Sequence, residues 1–258
     1  MTRSGDANIA LTAALIGDPT RGRVLMALLD GRALPASMLA AEAGVTASTI
    51  SEHLARLRRA GLLTVERQGR ARYYRLGGPL VAEALEAIAR ISPPEPIHSL
   101  RQDTNAHALR YARTCYNHLA GRLGVAVMTA LLKRDLLAGG DGEHHPDRAL
   151  RDRLAAPGRD VGYRLTPTGR QTFDEFGLDL DDIERHRPVV RYWLDWSEQR
   201  HHLAGPLGTA LAGRLFDLDW IRRTSRRRVV RLTDRGRTGL REALGVPLNW
   251  TAELGQLS

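Results

Sequence analysis

"TASTISEHLARLRRAGLL", residues 46–63, places its apolar and polar residues on different sides of a helix. At 100° per residue, Ile50, Leu54 and Leu57 form one stripe, which predicts a helix with a core-facing side. Thr46 is placed to cap it and Gly61 to stop it. Ser48, Ser51, Glu52, Ala55 and Arg59 point the opposite way, with Thr49 and Arg56 on one flank. Small hydroxyls at the front of an exposed helix can approach base edges in a major groove, and cations along its side can meet phosphates.

The surrounding sequence supplies the rest of a pattern. In "GDPTRGRVLMALLDGR" (17–32), Asp18 can cap a helix, Pro19 suits its first position and Gly31 stops it. "PASMLAAEAG" (35–44) reads as a short helix ending at Gly44. "LLTVERQGRARYYRL" (62–76) reads as two strands around a turn at Gly69, and "GGPLVAEALEAIARI" (77–91) as a closing helix. Helix, turn, helix and hairpin in that order predict a winged helix-turn-helix. Residues 46–76 carry seven arginines against two acids, so the formal charge of +9 has a dense local patch here. The candidate contacts to double-stranded DNA are Ser48, Thr49, Ser51, His53, Arg56, Arg59, Arg67, Arg70 and Arg72, with Arg75 beside them.

Residues 8–91 resemble the ArsR-type (SmtB-like) bacterial transcriptional regulators. The resemblance is carried by "LIGDPTRGRVLMALLDG" and "LAAEAGVTASTISEHLARLRRAGLLTVERQGRARYYRL". It implies a homodimer, held by apolar helices at both ends of the domain, with each recognition helix in a major groove of a pseudo-palindromic operator. Segments around Ile9–Ile16 and Leu80–Ile91 fit that interface. Metal-sensing members commonly carry a cysteine pair in the helix before the recognition helix. "PASMLAAEAG" has neither cysteine nor histidine, so any effector site is expected in the second half.

"SPPEPIHS" (92–99) has three prolines in four positions, which predicts an extended linker between a domain at 1–91 and one at 100–258. The second half contains a repeat. "HLAGRLGVAV" (118–127) matches "HLAGPLGTAL" (202–211), and "YRLTPTGRQTFDEFG" (163–177) matches "VRLTDRGRTGLREALG" (230–245). Each unit, about 110–180 and 193–248, reads as helix, strand or hairpin, then helix: a degenerate half-winged unit. The whole chain is expected to be mainly α with small β-hairpins, an α+β class. "ARTCYNHLAGRLGVAV" and "LDWSEQRHHLAGPLG" are similar to the C-terminal extension of some actinobacterial ArsR-like regulators.

The candidate effector residues gather at the start of each repeat. Cys115, Tyr116 and His118 are expected within one helical turn, and Asp195, Trp196, His201 and His202 at the equivalent place in the second copy. Packed face to face, the repeats would make His118 and His202 symmetry mates. Such a set could take a soft metal ion, through His118, His202 and Cys115, or a haem-like or aromatic small molecule. The bland alternative makes Cys115 a buried apolar group and the histidines structural. "EHH" at 143–145 is expected to be solvated, and the basic run 222–231 to form a solvated hairpin tip, with contact to DNA phosphates as the alternative.

A single cysteine excludes an internal disulfide. No apolar run is long enough for a membrane span, and the N-terminus lacks the apolar stretch of a signal peptide, so a cytoplasmic protein is expected. A Cys115–His118 thiol enzyme is the weakest alternative, because no orienting residue, phosphate loop or HExxH motif accompanies the pair. A ligand-responsive repressor and a constitutive architectural DNA binder share the same DNA-binding half. Only an effector separates them.

Overall fold

The computed structural model describes residues 7–69, 71–93, 96, 99–145, 162–186, 188–247 and 249. Arg70 and four of the eight residues at 92–99 therefore lie outside it. The chain divides into two compact units, Met1–Leu85 and Glu86–Ser258, with the division inside one helix.

The first unit begins with α1 (Ile9–Ile16) and α2 (Pro19–Leu28). Asp18 caps α2 by accepting from Arg21 N at 2.9 Å, with Pro19 in the first turn. A two-residue strand, β1 (Leu34–Pro35), leads into α3 (Ala36–Ala43), which ends on Gly44 in the left-handed conformation, φ 69°. α4 (Ala47–Arg59) starts at Thr46, whose hydroxyl accepts from Thr49 N. Its stripe of Ile50, Leu54 and Leu57 is at most 1% exposed. It packs with Val24, Leu25 and Leu28 of α2 and Leu39 of α3, all buried. Three arginines in the last turn of α4 suit the negative end of its dipole. β2 (Leu63–Gln68) and β3 (Ala71–Leu76) form the predicted hairpin, and β1 joins on the far side of β3. α5 (Pro79–Ile91) closes the sequence. Its Ala82 and Leu85 are buried in the first unit, and from Glu86 on it counts with the second.

The second unit is built twice on one plan, preceded by α6 (Leu100–Tyr111). The first copy runs β4 (Arg113–Cys115), β5 (His118–Ala120), α7 (Gly121–Lys133), β6 (Leu137–Ala138), β7 (Arg164–Leu165) and α8 (Pro167–Glu175). A short helix, α9 (Leu180–Glu184), follows. The second copy runs β8 (Arg191–Leu194), β9 (His201–Ala204), α10 (Gly205–Asp217), β10 (Ile221–Arg223), β11 (Val230–Leu232) and α11 (Asp234–Leu244). The pairs β4–β5, β6–β7, β8–β9 and β10–β11 all run antiparallel. Matched details run deep. Asp135 and Asp219 both take positive φ, 53° and 58°. Thr166 and Thr233 cap α8 and α11 in the same way, by accepting from Gly169 N and Gly236 N at 2.9 Å. Leu123 and Leu207, Leu131 and Leu215, Phe173 and Leu240 are equivalent core residues.

The helical reading of Cys115–His118 is corrected here. That stretch is a β-hairpin, with Cys115 facing His118 across the ladder and Tyr116, at φ 56°, in a two-residue turn. The equivalent β8–β9 hairpin is longer and holds Asp195 and Trp196 in its loop. Each strand is only three or four residues long, too short for alternation to announce it, and no glycine marks either turn.

The copies pack reciprocally: α7 lies on β9 and α10 on β5. Glycine makes the approach possible. A Cβ at Gly124 would sit 2.4 Å from Leu119 O and 3.6 Å from His202 Cβ; one at Gly208 would sit 2.8 Å from Leu203 O and 3.4 Å from His118 Cδ2. The next pair is tighter still. A Cβ at Gly169 would meet Leu136 O at 2.0 Å, and one at Gly236 would meet Trp220 O at 2.0 Å. Gly169→Ala and Gly236→Ala should each destabilise the protein by about 1–3 kcal/mol or more, since backbone cannot retreat cheaply. Gly213→Ala, at an exposed position of α10 with nothing within 4 Å, should stabilise by roughly 0.5–1 kcal/mol. Urea unfolding of the three variants measures all of these.

Candidate nucleic-acid interface and a buried polar cluster

On α4 the exposed side carries Ser48, Thr49, Ser51, Glu52, Arg56, Arg58 and Arg59. The hydroxyls at its front are arranged by the helix itself. Thr46 Oγ1 lies 2.9 Å from both Ser48 Oγ and Thr49 Oγ1, and Ser51 Oγ donates to Ala47 O at 2.9 Å. With its proton so engaged, Ser51 presents lone pairs, which suits a base edge that donates, such as an adenine or cytosine amino group. Arg56 is tied to Glu52 at 2.5 Å, one turn back, while Arg58 and Arg59 stand exposed. His53 does not belong with these residues. It is half-buried, with Nδ1 3.6 Å from Asp18 Oδ1, and so faces the start of α2.

The wing presents Arg67 and Arg72 directly opposite each other across β2 and β3, both exposed. Arg75 pairs with Glu66 at 3.1 Å, which leaves it less free to meet a phosphate. Like charges face to face weaken a hairpin, so Arg67 and Arg72 do not serve its stability.

In the second unit the two copies bring His118, His202 and Asp195 together. The imidazole centroids of His118 and His202 are 6.5 Å apart, and Trp193 packs edge-on against His118 at 5.0 Å. Asp195 Oδ2 accepts from Gly121 N at 2.7 Å and forms an ion pair with Arg113 Nη2 at 2.9 Å. Its Oδ1 accepts from Ser197 N at 2.9 Å and Ser197 Oγ at 2.7 Å. Burial alone would raise the Asp195 carboxyl, but Arg113, His202 and these donors hold it well below the usual carboxylate range. Trp196 is half-buried, with the Arg113 guanidinium 4.5 Å from its ring centroid. A second ion pair lies alongside: Arg228 Nη2 meets Glu86 at 2.5 Å, and Arg228 Nε donates to Thr114 O. Although buried, Glu86 is kept below its ordinary value by Arg228 and Arg113.

Cys115 is wholly buried beside Glu86, and burial together with that carboxylate pushes its thiol up. It is therefore a poor nucleophile. Burial lowers His118 to about 3, and it lowers His202 as well, against the pull of Asp195. Both imidazoles are neutral near pH 7. His118 Nε2 accepts from Gly205 N at 3.2 Å, whereas His118 Nδ1 and both nitrogens of His202 have no hydrogen-bond partner. Among the described residues no three His, Cys, Asp or Glu side chains are grouped to hold a metal ion.

His201 is separate from this cluster. Adjacent residues of a strand face opposite sides, so it points away from His202 and meets Tyr163 Oη at 2.8 Å and the Tyr192 ring. Tyr116 is half-buried at the turn, its ring 6.4 Å from His118. Glu143 is not merely solvated: it ion-pairs with Arg200 and bridges to it in β fashion. Arg113, Arg228, Glu86 and Trp193 were invisible as site residues in the sequence. The one available signal was Glu86, a carboxylate amid the apolar positions of α5.

The helix-turn-helix domain pattern matches residues 16–66. A Bacillus subtilis (strain 168) protein described as the uncharacterized HTH-type transcriptional regulator YdfF is 34% identical over 242 residues, covering 93% of this chain and 99% of its own. The match therefore includes the C-terminal extension. The HTH-type transcriptional regulator CmtR of Mycobacterium tuberculosis (strain H37Rv) is 40% identical over 83 residues, 32% of this chain and 70% of that one. The solution structure of the cadmium metal-sensor CMTR from Mycobacterium tuberculosis aligns at 36% identity over 36% of this chain and 100% of its own, with a TM-score of 0.29.

The buried cluster predicts an acid-side loss of stability. His118 has a folded value near 3, below the ordinary 6.5, so its neutral form stabilises fully above about pH 6.5. That contribution is lost as pH falls towards 3, by up to about 1.4 kcal/mol per unit. Urea midpoints of the full chain between about pH 7 and pH 5 should fall, and His118→Gln should flatten the fall. Asp195→Asn strands Arg113 without its counter-charge and should cost about 3–5 kcal/mol at neutral pH.

Proposed function

The chain belongs to the ArsR/SmtB-type helix-turn-helix transcriptional regulators, and on that premise we propose that it is an effector-responsive repressor that binds its operator as a homodimer. The observation that carries the DNA-binding mode is the exposed face of α4, hydroxyls in front and arginines behind, beside a wing bearing Arg67 and Arg72. α4 enters the major groove, with Ser48, Thr49 and Ser51 towards base edges and Arg56 and Arg59 along the phosphates. Arg67 and Arg72 reach phosphate or the minor groove, and Arg70 is assigned with them from the sequence.

Dimerisation is supported by α1. Its sequence, IALTAALI, is apolar nearly all round, yet none of its residues is buried; Ile9 is 76% exposed and Leu11 62%. Leu80, Ile88 and Ile91 of α5 are also exposed. Apolar surface of this kind marks an interface. A dimer also sets two recognition helices one helical turn of DNA apart, as a pseudo-palindrome requires.

The effector site is assigned to the second unit, around His118 and His202 with Asp195, Trp196, Tyr116 and Cys115. Two neutral imidazoles with unpartnered buried nitrogens support a ligand that exchanges hydrogen bonds with them. CmtR of Mycobacterium tuberculosis is a cadmium metal-sensor, but here α3 has neither cysteine nor histidine, and Cys115 is buried against a carboxylate. A small organic effector fits these surroundings better than a soft metal ion. The effector acts only by binding one conformation better than the other.

Selected-site profiling and salt titration test the DNA-binding mode. Arg72→Ala should weaken all sequences about equally and flatten the salt dependence by roughly one unit of slope. Ser51→Ala should change preference at one position of each half-site by about 1 kcal/mol. An unchanged profile in Ser51→Ala would mean that α4 docks differently. Ile9→Glu with Leu11→Glu should yield monomers in sedimentation analysis and abolish tight operator binding. An effector response that survives both His118→Gln and His202→Gln would place the sensor elsewhere.

A further inference from the structure

The duplication shows which features the second unit's fold requires, because each was needed twice. The ladder pairs and threonine caps match between copies, but the surface charge does not. Ala138 faces Arg164 across β6 and β7, whereas at the equivalent place Arg222 faces Arg231 across β10 and β11. The residue two beyond the capping threonine is Thr168 in the first copy and Arg235 in the second. The same backbone therefore forms without Arg222 and Arg235. Packing does not explain them, and stability argues against them, since like charges opposite each other weaken a hairpin.

These cations share one face. The carboxyl of Asp219 is lowered first by its hydrogen bond from Arg222, and it also feels Arg235 and Arg231. Arg222 ion-pairs with Asp219, while Arg231, directly opposite Arg222 on the ladder, and Arg235 are not balanced by that contact. Arg226 adds a fourth at the exposed turn, where Thr224 Oγ1 accepts from Arg226 N at 3.1 Å. The hairpin is also held firmly from below. Arg228 turns inward to Glu86 and Thr114, Thr114 N donates to Arg228 O at 2.8 Å, and Val230 N donates to Ala112 O at 3.0 Å. Fixed guanidiniums in excess over carboxylates suit the oxygens of a phosphate chain. The preceding helix, α10, exposes Thr209, Gly213 and Asp217, none of them a cation, so it offers no helix for groove reading.

We propose that the β10–β11 hairpin and the first turn of α11 bind the phosphate backbone of duplex DNA, as a second contact that adds affinity without reading sequence. Arg222 and Arg235 thus stand where the first copy has Ala138 and Thr168, while Arg231 has Arg164 as its counterpart.

The test uses the full chain, a random-sequence duplex and fluorescence anisotropy over a range of salt. Each phosphate contact contributes about 0.9 to the slope of log affinity against log salt. The triple change Arg226→Gln, Arg231→Gln, Arg235→Gln should make the slope shallower by about 2–3 and weaken binding at least tenfold at low salt. The same three positions changed to Lys should keep most of both. Arg164→Gln, the equivalent of Arg231 in the first copy, should change neither. An unchanged slope in the Gln triple would overturn the proposal and leave the patch to an acidic protein or a second copy. An equal loss in the Lys triple would also overturn it, because that result means distortion of the hairpin. Arg59→Gln with Arg72→Gln tests the first unit's contacts separately. If those two changes remove the whole salt dependence, the proposal falls while the winged-helix reading stands.

Discussion

The carboxylate of Asp195 ties the two copies of the second unit together. It sits in the loop of the β8–β9 hairpin, yet it accepts from Gly121 N, where α7 of the other copy begins, and pairs with Arg113 of β4. Two charges withdrawn wholly from water are costly unless every lone pair is used. Here Ser197 and Glu198 supply further donors, so the carboxylate is well satisfied. The reciprocal packing of α7 on β9 and α10 on β5 then follows from glycines that let helix and strand approach, with the copies' histidines at the contact. An apolar pair would be as stabilising but less selective, since it would not specify which loop meets which helix.

The two units handle charge in opposite ways. In the first, arginines stand outward on α4 and the wing, where water keeps them and a polyanion can take them. In the second, Arg113 and Arg228 are turned inward and matched by Asp195 and Glu86. Composition cannot tell these uses apart. The arginines of the β10–β11 hairpin combine both, since Arg228 anchors the hairpin from whose turn and strand Arg226 and Arg231 project. A hairpin held at its base can present charge without first losing entropy to order itself.

Neutral histidines inside a charged cluster also set a limit on signalling. Burial keeps His118 far below neutrality, so ordinary cellular acidification does not charge it. The proposed effector site therefore calls for a ligand that offers hydrogen bonds in the interior. Cys115 is similarly insulated, with its thiol pushed up beside Glu86. Neither the thiol nor the imidazole of this cluster is set up for redox or acid chemistry near neutral pH.

The sequence by itself determined the first unit. The caps at Asp18 and Thr46, the stops at Gly44 and Gly61, and the stripe of Ile50, Leu54 and Leu57 are local signals, and each is found where it was expected. The hydroxyl-and-arginine face follows from the same helical period. The duplication was legible too, because two copies in order announce themselves without any knowledge of their shape. Tertiary structure alone decided the rest. The β4–β5 hairpin escaped notice because three-residue strands carry too little alternation and their turn uses Tyr116 in place of glycine. His53 and His201 were misplaced because a residue's direction depends on the element packed against it. Arg113 found Asp195 across 82 positions, and Arg228 found Glu86 across 142, through ion pairs that no local pattern encodes. Local periodicity records what a segment must bury; which buried charge meets which is settled only when the chain has closed.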